Sequence, residues 1–133
     1  MNSKAQVSLE SLLIWAALAG MLALLTPAFA TIMHAYSLQQ ETLALKSHAQ
    51  QIQTILDELI FESEGSSRAH SWTVSPSVAL SVNGYQIEMQ LNDPSLQNPK
   101  LFTAESQLPL LYATQTASNE LIFIRTADGI TIQ

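Results

Sequence analysis

Residues 11–33 read SLLIWAALAGMLALLTPAFATIM, apolar on every side of a helix, and no charged residue falls between Glu10 and Glu41. At 1.5 Å per residue they cover about 34 Å, enough to cross a hydrocarbon core of about 30 Å. Beyond them the pattern changes without a break. Leu38, Thr42, Leu45, Ala49, Ile52, Leu56 and Leu59 recur at alternating steps of four and three, with Gln, Glu, Lys and His on the other faces. That is the stripe of an amphipathic helix. No Gly or Pro lies between Pro27 and Gly65. The pattern therefore predicts one helix from about Gln6 to about Glu62, roughly 85 Å long, broken by Ser-Glu-Gly-Ser-Ser at 63–67. Pro27 is expected to kink it or loosen its hydrogen bonding locally.

After residue 67 the period drops to two. Val78, Leu80 and Val82 alternate with Ala79 and Ser81; Tyr85, Ile87, Met89 and Leu91 alternate with Gln86, Glu88 and Gln90. An Asn83-Gly84 loop would pair Val82 with Tyr85, Leu80 with Ile87 and Val78 with Met89, a hairpin with one apolar face. ELIFIRTADGITIQ (120–133) repeats the scheme around Asp128-Gly129. Its LIFI run is apolar on both faces, as a central strand would be. SWTV (71–74), KLFT (100–103) and LLYATQT (110–116) read as further strands, with Pro94, Pro99 and Pro109 in the loops. The fold class is α+β: a long N-terminal helix, apolar then amphipathic, carrying a small antiparallel β-sheet head whose inner face the amphipathic half covers.

Composition narrows the chemistry. The 133 residues carry a net charge of -6, and Lys4, Lys46, Arg68, Lys100 and Arg125 form no basic patch, which argues against a nucleic-acid partner. Without cysteines, disulfides and thiolate metal sites are excluded. His34, His48 and His70 are too scattered along the chain to suggest a metal site, and Asp57, Glu58, Glu62 and Glu64 read as a solvated helix face. No nucleophile–base pairing or phosphate loop stands out, so neither an enzyme nor a cofactor is expected.

The remaining anomaly is Glu10, a carboxylate at the mouth of the apolar run, where insertion into lipid costs roughly 2.5–3.5 kcal/mol. Lys4 and Ala5 precede Gln6-Val7-Ser8-Leu9-Glu10. This resembles the processing motif of archaeal type IV pilin-like proteins with class III signal peptides, Gln-x-Ser-x-Glu before a long hydrophobic segment. The resemblance implies a leader of residues 1–5 that a prepilin peptidase removes between Ala5 and Gln6. It implies a hydrophobic transmembrane or filament-core helix over 6–34 and says nothing about the head; the amphipathic continuation over 35–64 and the antiparallel β head over 68–133 rest on the periodicity alone. Lys4, Gln6, Ser8 and Glu10 are then the processing and assembly residues, and Pro27 takes the place of a proline that many pilins carry. The partners it implies are copies of the chain or related pilins, joined through their N-terminal helices, and the pilus assembly machinery. The protein would be a major or minor pilin, with adhesion among its roles. It would begin as a single-pass membrane protein with its N-terminus in the cytoplasm, as Lys4 also suggests, and end in an extracellular filament.

Two other readings stay open. Glu10 suits the first turn of an anchoring helix, where the macrodipole favours an anion by about 0.3–1 kcal/mol. Ala28-Phe29-Ala30 also resembles a signal-peptidase site. Cleavage after Ala30 would leave a secreted or membrane-anchored small β-domain binding protein. That reading leaves Glu10 in a normally basic region and cuts through a helical pattern that continues past it.

Overall fold

The computed structural model describes residues 3–71, 78–112 and 120–133, with side chains among them except those of residues 3–7 and 112. One helix, α1 (Ser3–Phe61), is followed by seven strands: β1 (Ser67–Ser71), β2 (Val78–Asn83), β3 (Gln86–Leu91), β4 (Lys100–Glu105), β5 (Leu110–Tyr112), β6 (Glu120–Thr126) and β7 (Gly129–Ile132). This is the α+β layout that the change of period predicts. Residues 72–74 of SWTV and 113–116 of LLYATQT lie outside the described residues. The chain divides into two compact units, Met1–Gln39 and Gln40–Gln133.

In the first unit α1 continues through Pro27 as helix. Proline brings no N–H to the carbonyl four residues back. On either side of it, Thr26 Oγ1 donates to Leu22 O (2.8 Å) and Thr31 Oγ1 to Pro27 O (2.9 Å). Ser11 and Ser37 likewise donate to the carbonyls of Ser8 and His34. These hydroxyls are turned onto their own helix, so what it presents outward is hydrocarbon.

In the second unit the sequence stripe becomes the core. Leu45, Ala49, Ile52, Leu56 and Leu59 are buried, together with Ile87, Met89 and Leu91 of β3, Ala104 of β4, Leu110 of β5, Leu121 and Phe123 of β6, and Ile130 and Ile132 of β7. The strands form two sheets, ordered β1-β6-β7-β5 and β2-β3-β4. The sheets meet where the Leu110 N–H donates to Gly84 O (2.8 Å). At the opposite ends, β1 and β4 are each tied to a flank of α1. Gln53 forms a two-way bridge to the β4 backbone: Nε2 donates to Glu105 O (2.9 Å), and the Glu105 N–H donates to Oε1 (2.7 Å). Lys100 Nζ reaches Thr42 Oγ1 at 3.4 Å. The rise from Thr42 to Gln53 and the length of Lys100–Glu105 are both about 16 Å. The helix therefore runs alongside β4 and shields an edge that would otherwise invite pairing.

Gln53→Ala removes both backbone partners at once. It is expected to lower stability by about 1–2 kcal/mol, read as a lower denaturation midpoint at unchanged slope for the full chain in detergent.

Three expectations need correction. The first hairpin turns at Gly84-Tyr85, not Asn83-Gly84, and pairs Asn83 with Gln86, Val82 with Ile87, Leu80 with Met89 and Val78 with Leu91. An Asn-Gly loop of the commonest hairpin type needs positive φ at both residues. Here φ is positive at Gly84 (61°) and at no described non-glycine residue. The shift is two positions, so the apolar face is preserved, and Leu91 gains a partner while Tyr85 moves out to the turn. The second hairpin pairs Thr126 with Gly129 across Ala127-Asp128. Finally, β6 is internal in its sheet, yet only one of its faces is buried: Leu121 and Phe123 point inward while Ile122 is 37% exposed. Within the otherwise antiparallel sheets, β5 and β7 pair in parallel.

Candidate functional site

The N-terminal surface is the first candidate. Leu9, Leu12, Leu13, Ile14, Trp15, Leu18 and Met21 are all exposed, and the series continues through Leu22, Leu24, Leu25, Phe29, Ile32 and Met33 to Tyr36. Monomeric soluble proteins rarely expose a contiguous apolar patch of more than a few hundred Å². Covering this one is favourable by roughly 25 cal/mol per Å². By length and composition the helix contains a stretch long and apolar enough to cross a membrane. At its start, Lys4, Ala5 and Gln6 lie in α1, their side chains outside the described ones. Ser8 and Glu10 are exposed on the same helix, and Pro27 lies inside it. In the isolated chain Glu10 stands at one end of an uncovered hydrocarbon surface.

The second candidate was not legible in the sequence. His48 and His70, 22 residues apart, meet across α1 and β1 with Nδ1 of His48 2.9 Å from Nε2 of His70. Their rings are edge to face, centroids 5.1 Å apart. His70 is 6% exposed, and its pKa is lowered by burial and, second, by the charge His48 can carry. Among the described residues no group of three or more His, Cys, Asp or Glu converges to hold a metal, so two imidazoles face each other without the further ligands a zinc site needs. Foreseeing the contact required β1 to be recognised as a strand. Nearby, Arg68 of β1 pairs with Glu58 of α1 and with Glu62 just past its end, so part of the acidic run is spent within the fold rather than simply solvated.

Together these features define a class: an α+β protein whose long N-terminal helix is apolar enough in its first half to cross a membrane and contributes its second half to the core of a small β head. Comparison with protein-family models, curated proteins and solved structures yields no match for the chain.

Proposed function

We propose that the chain is a structural subunit of a type IV pilus-like surface filament of archaeal type. The observation that carries this reading is the uncovered apolar surface from Leu9 to Tyr36 with Glu10 at its start. Lipid holds that surface after synthesis; packing against sister helices covers it after assembly. The surface stays out of water in both states, so transfer between them gives up little hydrophobic stabilisation. A carboxylate moved into such a core requires a donor, and the amino group freed by cleavage before Gln6 on a neighbouring subunit supplies it. Prepilin peptidase and the assembly machinery are then partners, and the head faces outward.

The competing reading is a secreted or anchored binding module cut after Ala30. The helix that runs unbroken through Ala30 into the buried stripe supports the filament subunit instead. Intact-mass analysis of the protein from cells expressing the peptidase separates the two. The expected chain starts at Gln6 or its pyroglutamate; a chain starting at Thr31 would replace the filament reading with the secretory one.

A further inference from the structure

The two histidines sit where the head is clasped. β1 is the outermost strand of its sheet, and it meets α1 through the His48–His70 contact and the Arg68 pairs. We propose that the imidazoles form a proton-operated latch, closed while at most one ring is charged and open in mildly acid surroundings. Two neutral rings share one N–H between two nitrogens. One added proton preserves the contact, as a cationic donor facing a neutral acceptor. A second leaves two donors and two like charges 2.9 Å apart.

At His70, burial and the neighbouring His48 both weigh against a proton. Opposite His70 on β6 stands Leu121, and Glu120 pairs with Ser71 on the other face of the sheet. On β1 the neighbouring charge on the same face is Arg68, itself a cation, held by Glu58 of α1 and by Glu62 just past the helix end. On α1, Glu41 lies two helical turns before His48, about 10 Å along the axis. The folded-state pKa of His70 lies below its ordinary value. The latch's contribution to stability is thus complete above about pH 6.5 and is lost as the pH falls from there through the folded value. Release frees β1 from α1 and loosens the cover over Leu121 and Phe123, which are buried when the latch is closed. The device belongs to the head and does not depend on whether the chain polymerises.

Hydrogen exchange of the full chain in detergent micelles, followed by NMR between about pH 7.5 and about pH 5, tests it. Protection factors of the β1 amides are expected to fall about tenfold or more while those of β3 hold. The His48→Gln variant keeps the burial of His70 but loses the like charge, and is expected to show a clearly smaller step. Constant β1 protection in the wild type, or the same step in His48→Gln, would overturn the latch. So would a step that disappears in Arg68→Gln, since that assigns it to the carboxylates.

Discussion

Gly129→Ala is expected to unfold much of the head at a denaturant concentration the parent tolerates, a loss of about 3 kcal/mol or more. Gly129 opens β7 with φ 153°, a backbone conformation that residues with a Cβ rarely adopt. A Cβ there would lie 2.2 Å from the carbonyl oxygen of Pro109. That oxygen cannot step aside, because it accepts the Ile130 N–H at 2.9 Å as β5 and β7 come together. Nor is the turn free to reshape: Arg125 Nη1 donates to the carbonyls of Thr126 and Gly129, and Thr126 Oγ1 also donates to Gly129 O. Thermal or chemical unfolding of the full chain in detergent measures the loss. Gly20→Ala is the matched control, since nothing lies within 4 Å of the Cβ it would add. Equal stability of Gly129→Ala and the parent would mean that β5 and β7 are not held this closely.

Glu10→Ala is expected to have the largest effect on assembly. Removing the carboxylate leaves insertion into the membrane intact or easier, because the costly charge is gone. In the proposed filament the same change would leave a neighbour's amine buried without a partner, a penalty of about 3–5 kcal/mol per contact. At about 1.4 kcal/mol per tenfold, that is a loss of roughly a hundredfold or more in subunit incorporation. Quantifying the chain in membrane and sheared-filament fractions checks both halves of the prediction. Unimpaired incorporation would remove the role proposed for Glu10 as partner of a neighbour's amino group.

How legible was this in the chain? The helix was, because both of its burial regimes leave patterns: unbroken hydrocarbon to Met33, then a four-three stripe whose members from Leu45 onward are buried. The hairpin faces were legible too, since period two survives a shift of two residues. The exact turns were not, because Asn83 and Gly84 both suit a loop and tertiary pairing of Leu91 decides between registers. β1 was hidden for another reason. Ser-Arg-Ala-His-Ser has no apolar alternation, being an edge strand with His70 alone buried. Its pairing with β6 (Arg68 with Phe123, His70 with Leu121) is non-local, and no local period encodes it. With β1 unseen, the meeting of His48 and His70 could not be foreseen. The parallel β5–β7 pair was concealed in the same way, as β6 intervenes between its strands in the sequence. For Glu10 the motif suggests a role, and the fold shows its setting, an exposed carboxylate at the head of an exposed hydrocarbon face.

The most direct test of that setting is a solid-state NMR measurement on filaments assembled from two pools of subunits. One pool carries carbon-13 at the Glu10 carboxyl, the other nitrogen-15 at the backbone nitrogen of Gln6. Dephasing between the pools that reports a contact at hydrogen-bond distance, about 2.8 Å between nitrogen and oxygen, is the expected result. A carboxylate with no intermolecular nitrogen nearby and open exchange with water would contradict it.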